Sequence, residues 1–166
     1  MATESRILRD GLIVGIIGYS SVAALYAAFD IVAARGILYT VDLLGKSVFR
    51  GARDTGVLGV PIQLDVTTIF WYNALHLLVS LAIGLIVIGL VEQAERRPSQ
   101  APIITFTIVA GFIVTIIAVG WLSTPIRPLL PWWSIVVSNA LASLLAGMYL
   151  LRQHPGVLRR LTFFAG

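Results

Sequence analysis

The sequence contains no cysteine and few charged residues. Without cysteine the chain can form no disulfide, no thiolate metal site and no iron–sulfur cluster. Charged residues make up 12% of the chain, about half of the ~25% that is usual in soluble domains. A chain of this size cannot bury so large an apolar fraction in its own interior, so these deficits exclude an ordinary water-soluble domain.

Charge is absent altogether from four long stretches, which are 11–29, 66–91, 98–126 and 128–151. Hydrophobic residues make up 58% of the chain, and the mean hydropathy is +0.92. An α-helix rises ~1.5 Å per residue and the hydrocarbon core of a bilayer is ~30 Å thick, so about 20 apolar residues cross it. Each stretch is close to this length or longer, which predicts four membrane spans.

The predicted fold class is an all-α integral membrane protein, in which four transmembrane helices form an antiparallel bundle. Short links between neighbouring spans favour this arrangement. Four spans with their connections use the whole chain, so residues 1–166 are predicted to form a single domain. We place the spans at about 9–33, 65–91, 102–124 and 132–151.

Positive charge predicts the orientation. An even number of spans puts both termini on one side of the membrane, here named side A, and the opposite side is side B. Seven of the 12 Lys and Arg residues lie on side A, and the other five lie on side B. The positive-inside rule then predicts a multi-pass protein of the plasma (inner) membrane with both termini in the cytoplasm.

The segment between spans 1 and 2 contains a second kind of pattern. Residues 37–50 are predicted to form a short amphipathic helix on the side B surface. The residues after this helix bring the chain back to span 2. This helix is either a lid that seals the bundle, or a docking surface or gate over a cavity. The apolar face is Ile37, Val41, Leu44 and Val48, and the charged face is Asp42, Lys46 and Arg50.

Small residues mark two spans as closely packed. In a bilayer, helices approach where small side chains let their backbones come together. Span 1 carries such a row, and span 4 carries another with a spacing of four. The pattern leaves open whether the partner is another span or a second copy of the chain. The predicted packing residues are Gly11, Gly15, Gly18, Ser138, Ala142 and Ala146.

Polar side chains form a row on each of the first two spans, and the two rows match in depth. Tyr19 lies eleven residues from Asp30, and His76 lies eleven residues from Asp65, so both are about 16 Å from side B. We therefore predict that the rows face each other in a polar seam that opens toward side B. The candidate seam residues for ligand binding or proton transfer are His76, Asn73, Tyr72, Tyr19, Tyr26, Asp30 and Asp65.

The seam has two interpretations. Polar groups inside a bilayer are costly and often functional, but hydrogen-bonded clusters that only join helices are also common there. In the functional interpretation His76 contacts a ligand or carries a proton, and replacing it by leucine abolishes the activity of a folded protein. In the structural interpretation that replacement leaves every activity intact.

Motifs of enzymes are missing. The sequence has no HExxH motif, no glycine-rich phosphate loop and no nucleophile–base–acid set. Its two histidines, His76 in mid-membrane and His154 beyond span 4, are too far apart to ligate one haem. We predict a protein without enzymatic activity, without a metal site and without a cofactor.

Three functional classes remain. The favoured one is an accessory or assembly subunit of a membrane complex, whose partners are the lipid bilayer and other membrane subunits or a second copy. The first alternative is a protein that binds a lipophilic redox molecule, a quinone or haem, in the seam. The second is a small transporter that uses Asp30, Asp65 and His76, which is disfavoured because the seam stops halfway. The small positive net charge of +4 favours anionic lipid and not nucleic acid as a partner.

Overall fold

The structure is a computed structural model that describes residues 2–51 and 63–156. Of these residues 87% are helical, and none lies in a β-strand. Short 3₁₀ turns at Pro98–Gln100 and Thr124–Ile126 flank the fourth α-helix. The α-helices are α1 (Ala2–Val32), α2 (Tyr39–Phe49), α3 (Val66–Arg96), α4 (Ala101–Leu122) and α5 (Trp132–Gln153).

Four of these helices are long and apolar enough to cross a membrane. The shortest have 22 residues, which corresponds to about 33 Å of helix. Large apolar side chains such as Leu78, Phe106 and Trp121 are more than half exposed on their outer faces. A protein surrounded by water does not expose apolar surface on this scale. The prediction of an all-helical chain with four candidate membrane spans is confirmed.

The helices continue past the uncharged stretches that define the spans. The second predicted span ends at residue 91, because Glu92 is the next charge, but α3 continues to Arg96. An ion pair of 3.1 Å joins Arg96 Nη2 to Glu92 Oε1 one turn earlier and favours helix there. The first helix breaker is Pro98, in the turn before α4. Helix ends thus follow capping and proline, whereas span ends follow charge.

Glycine sets the contact between α1 and α3, which is the most extensive in the structure. A Cβ atom added to Gly15 would lie 2.6 Å from the Cα atom of Leu81. A Cβ atom added to Gly84 would lie 2.6 Å from the backbone nitrogen of Gly15. No real Cβ atom fits at such distances, so only glycine permits this approach of the two backbones. Gly84 belongs to the contact although the sequence pattern does not single it out.

The other predicted packing residues divide into two groups. A Cβ atom on Gly11 would also clash with α3, but one on Gly18 would meet nothing within 4 Å. Gly18 is therefore not part of the α1–α3 contact. On α5, Ser138 is fully buried, Ala146 packs on the core beside α1, and Ala142 is half-buried. In this row on α5, Ser138 and Ala146 at the two ends therefore pack within the chain.

Two apolar cores lie at opposite ends of α1. The core near the start of α1 consists of Val14, Ile88, Val91 and Leu150. The core near the end of α1 joins α2, the segment after α4 and α5, and it consists of Leu43, Ile126, Leu130 and Ile135. Helix α4 contributes buried residues only near its ends, at Ala101, Ile104 and Gly120.

Helix α2 buries polar side chains beside apolar ones, and of its residues only Val48 and Phe49 are exposed. Asp42 is 1% exposed and the side chain of Lys46 is 14% exposed, while Val48 is 54% exposed. Lys46 donates a 2.6 Å hydrogen bond to Asp42 and a 2.7 Å bond to the carbonyl of Gln63. Asp42 and Lys46 thus satisfy each other inside the protein, as charged groups away from water require.

Candidate functional site

A hydrogen-bonded pair joins the middle of α1 to α3. The Tyr19 hydroxyl donates a 2.9 Å bond to Asn73 Oδ1. The Asn73 side-chain nitrogen in turn donates a 2.8 Å bond to the carbonyl of Ile69, one turn earlier on α3. Both hydrogen-bonding groups of Asn73 are therefore engaged, and this part of the predicted seam acts as a cross-link between helices.

His76 lies beside this pair, and its ring packs among aromatic rings. The ring centroids are 5.2 Å from Tyr19 and 6.1 Å from Tyr72. Within residues 2–51 and 63–156, no hydrogen bond reaches either nitrogen of His76. The imidazole is thus held in place by ring contacts while its hydrogen-bonding groups stay available.

Two further tyrosines lie below His76, toward side B. The hydroxyl of Tyr26 lies next to the hydroxyls of Ser138 and Ser134 on α5. The hydroxyl of Tyr72 has no hydrogen bond within the part of the chain that the structure describes. Tyr26 packs on the apolar core that contains Ile135 of α5, whereas the Tyr72 hydroxyl resembles the His76 ring in having no hydrogen-bond partner among the described residues.

A cavity of about 220 Å³, here named the α1–α2–α3 cavity, lies between these three helices. His76, Tyr72 and Asn73 line it from α3, and Tyr26 lines it from α1. Apolar side chains of α2 and of the two residues before it complete the wall at the end nearest side B. These residues are Ile37, Leu38, Val41 and Leu44. The cavity is an apolar space with polar groups on one wall, which is the usual composition of a small-molecule site.

Asp30 borders the cavity, but its carboxylate is occupied. It accepts a 2.7 Å bond from the backbone N–H of Thr40, a 2.6 Å bond from the Thr40 hydroxyl and a 3.2 Å bond from Arg35. The Arg35 guanidinium also stacks on the rings of Phe29 and Tyr39, at 4.7 and 4.5 Å. Asp30 is 1% exposed, and this network fastens the start of α2 to the end of α1.

Asp65 has a different role, at the start of α3. Its carboxylate accepts bonds from the backbone N–H groups of Thr67 and Thr68, at 3.0 and 3.2 Å, and so caps the helix. Arg50 pairs with it at 3.1 Å. The Thr68 N–H and the Arg50 guanidinium hold the pKa of Asp65 below its ordinary value, since both stabilise the charged form.

The structure thus brings together part of the predicted seam. Tyr19, Asn73 and His76 meet at one depth, and Tyr26 and Tyr72 line the same cavity. Asp30 and Asp65 each bond to their own partners on or beside α2. At the side B end, Thr40 and Arg35 bond to Asp30, and Arg50 bonds to Asp65. The pairing of the two rows from end to end stays a prediction.

Of three polar side chains outside the seam, two bond within their own helices and the third is exposed. The Asn139 amide donates to the carbonyl of Ile135, and the Thr115 hydroxyl donates to the carbonyl of Gly111, both at 2.8 Å. Ser143 is exposed on α5. The cavity wall is therefore built from α1, α2 and α3.

A second polar cluster lies at the other end of the helices, and the seam prediction did not include it. The Tyr149 hydroxyl donates a 2.9 Å bond to Asp10 Oδ1, and His154 Nδ1 lies 3.1 Å from Glu95 Oε2. Asp10 and His154 are 0% and 3% exposed. We name this group, together with Glu92, the Asp10–His154 cluster. The sequence indicates that these residues lie near one another in depth, since the four predicted spans place residues 10, 95 and 154 on side A.

Comparisons with protein families, with curated proteins and with solved structures find no match to this chain. The residues that bear on function are therefore those of the α1–α2–α3 cavity and of the Asp10–His154 cluster.

Proposed function

We propose that the protein is a non-catalytic membrane protein that binds the head group of a lipophilic small molecule, such as a quinone, in the α1–α2–α3 cavity. One observation carries the proposal: His76 and Tyr72 both line the cavity, and neither has a hydrogen-bond partner among the described residues. A polar group without a partner in an apolar setting is costly, and a ligand oxygen removes that cost.

The size of the cavity restricts the ligand. Its volume of about 220 Å³ is below the ~300–1,000 Å³ of pockets that enclose drug-sized molecules. A single ring with hydrogen-bonding oxygens fits, with its tail passing between helices into lipid. A porphyrin is larger than this space, so a quinone is favoured over haem as the bound redox molecule.

The transporter alternative has less support. Both acids that it requires are held by cations, Asp30 by Arg35 and Asp65 by Arg50. A carboxylate fixed in this way serves the fold, and we do not propose a transport function.

The test measures the binding of a short-chain ubiquinone to the purified protein in detergent. Quenching of tryptophan fluorescence reports the binding. Trp71 is next to Tyr72 in the sequence and provides the signal. We expect saturable binding, and we expect His76→Leu and Tyr72→Phe each to weaken it by about tenfold. That factor corresponds to the ~1–3 kcal/mol lost when a ligand group is left without its partner.

The matched control is Thr115→Val, which removes a hydroxyl that bonds only within α4. It should bind the quinone as the unaltered protein does. Equal binding by folded His76→Leu and Tyr72→Phe, or the absence of saturable binding, would contradict the proposal. Extraction of a lipophilic molecule from the protein as purified from its host would support it directly.

A specific observation also favours the accessory or assembly subunit as a second candidate. The buried residues of α4 lie only near its ends, so residues 105–119 present a long apolar surface that the described chain does not cover. Such a surface suits contact with a helix of another membrane subunit or of a second copy. Gentle purification followed by mass spectrometry tests this candidate, which fails if the protein is recovered alone and monomeric.

We further propose that the four long helices form an antiparallel bundle in the plasma (inner) membrane, with both termini in the cytoplasm. The meeting of Asp10, Glu95 and His154 supports this arrangement, since they lie near the start of α1, the end of α3 and the end of α5. The excess of Lys and Arg on that side supports the orientation.

A further inference from the structure

Three helices meet at the Asp10–His154 cluster, at the end of the molecule opposite the α1–α2–α3 cavity. His154 follows the last residue of α5, and its ring lies between Glu95 of α3 and Asp10 of α1. Its side chain is 4% exposed, and the Asp10 side chain is 0% exposed. The cluster is therefore an enclosed group of acids around one imidazole.

Two atoms of this cluster are buried without a hydrogen-bond partner, Asp10 Oδ2 and His154 Nε2. They face each other at 3.8 Å, which is longer than a hydrogen bond between nitrogen and oxygen. A buried polar atom without a partner is costly, and it needs an explanation such as an ion. The other ring nitrogen, Nδ1, lies 3.1 Å from Glu95 Oε2.

The donor set on the other side of the ring suits a metal ion. Glu92, Glu95 and His154 each offer one ligand atom, and these atoms all lie within 4.8 Å of one another. In tetrahedral geometry two donors on one zinc ion are about 3.3–3.6 Å apart, because each bond is ~2.0–2.2 Å long. Adjustments of up to about 1.5 Å in the glutamate side chains therefore close the site.

We propose that Glu92, Glu95 and His154 Nδ1 bind a divalent transition-metal ion such as zinc, and that Asp10 positions the histidine. In this arrangement Nε2 carries the ring proton and donates a hydrogen bond to Asp10 Oδ2, once the two groups have moved closer together. A carboxylate that orients a ligating histidine in this way is a regular feature of metal sites. The proposal gives each unpaired atom a role.

The surrounding charges are compatible with the ion. Arg96 pairs with Glu92 at 3.1 Å, but its side chain is 61% exposed and has room to leave. Arg9 bonds the other oxygen of Asp10, Oδ1, at 3.0 Å. Arg6 Nε lies 3.9 Å from Oδ2, and its side chain is 55% exposed. Three protein ligands leave a fourth position for water, as in many zinc sites.

The test uses the full chain, purified in detergent and treated with a chelator, to which zinc is added in competition with a zinc-binding dye. We expect one zinc ion per chain and a rise in the thermal unfolding temperature. Glu95→Gln and His154→Gln should lose both effects. Asp10→Asn keeps all three ligands, and we expect it to bind zinc about 10- to 100-fold more weakly, as is usual for such supporting groups.

His76→Gln is the matched control, because it makes the same substitution at the other histidine of the chain. It should bind zinc as the unaltered protein does. The proposal is overturned if no stoichiometric zinc binding occurs, or if folded Glu95→Gln binds zinc normally. Glu92→Gln provides the same test should His154→Gln fail to fold. Unchanged affinity in Asp10→Asn would overturn the positioning role of Asp10.

Discussion

At the scale of single residues, Asp30 links two helices through one carboxylate. It accepts three hydrogen bonds, two of them from Thr40 at the start of α2 and one from Arg35. Hydrogen bonds to a charged group are stronger than those between neutral groups, and burial strengthens them further. The position of α2 over the cavity therefore depends on this acid.

Removing the Thr40 hydroxyl tests that dependence. Thr40→Val keeps the shape and the backbone bond but removes the 2.6 Å donor to Asp30. We expect the free energy of unfolding to fall by about 2 kcal/mol, which is usual for a hydrogen bond to a charged group. Unfolding in mixed detergent micelles measures it. Thr107→Val, whose exposed hydroxyl bonds only to Ile103 of its own helix, should change it by less than about 0.5 kcal/mol.

Asp65 gives a prediction for pH. Its pKa is lowered in the folded protein from an ordinary value of about 3.8, first by the Thr68 N–H and also by Arg50. A lowered pKa means that the charged carboxylate stabilises the fold above that ordinary value, and that this contribution is lost as the pH falls through the lower folded value. Asp65→Asn should therefore be less stable than the unaltered protein at pH 7, with the difference shrinking below about pH 4.

The measurement is the difference in unfolding between the two proteins at each pH, because other acids titrate in the same range and cancel in the comparison. A difference that stays constant from pH 7 to pH 3 would contradict the assignment of Asp65 as a charged cap.

At the scale of helices, the decisive feature is how closely two backbones approach. Helices α1 and α3 meet where Gly15 and Gly84 oppose each other. Lipid supplies no hydrophobic force between helices, so this contact depends on close packing alone. Helix α2 keeps the ion pair of Asp42 and Lys46 on the protein side and leaves Val48 and Phe49 exposed.

Two alanine substitutions one turn apart test the glycine contact. Gly15→Ala places a methyl group 2.6 Å from Leu81 Cα, whereas Gly18→Ala meets open space. We expect the first to destabilise the protein by about 1–3 kcal/mol through overpacking. The second should be neutral or stabilising by up to about 1 kcal/mol, since alanine favours helix over glycine. Equal effects in an unfolding titration would show that the helices do not cross there.

At the scale of the whole molecule, two polar sites occupy opposite ends of the long helices. The α1–α2–α3 cavity lies toward the end of α1, and the Asp10–His154 cluster lies toward its start. Between them, α1 and α3 pack through glycine and apolar side chains such as Val14 and Ile88. The two polar sites are thus separated by a segment in which the contacts between α1 and α3 are apolar.

The absence of cysteine makes the proposed orientation easy to test. Ser99 and Thr124 are exposed in the two turns that flank α4, one at each end of that helix. In intact cells, a membrane-impermeant maleimide should label Thr124→Cys, whereas Ser99→Cys should react only after permeabilisation. The opposite pattern would reverse the orientation, and labelling of both in intact cells would contradict a membrane-spanning α4.

The sequence by itself determined the helical class and the number of candidate spans, because lipid demands long uncharged helices and leaves a clear record in composition. It also placed Tyr19 near His76, since helical rise fixes relative depth along two neighbouring spans. Tertiary structure alone decided that Asp30 bonds to Thr40 of α2, that Gly84 and not Gly18 lies at the crossing, and that Asp10 meets His154. These outcomes depend on how each helix is rotated and on contacts between residues far apart in the chain, which periodicity within one helix does not specify.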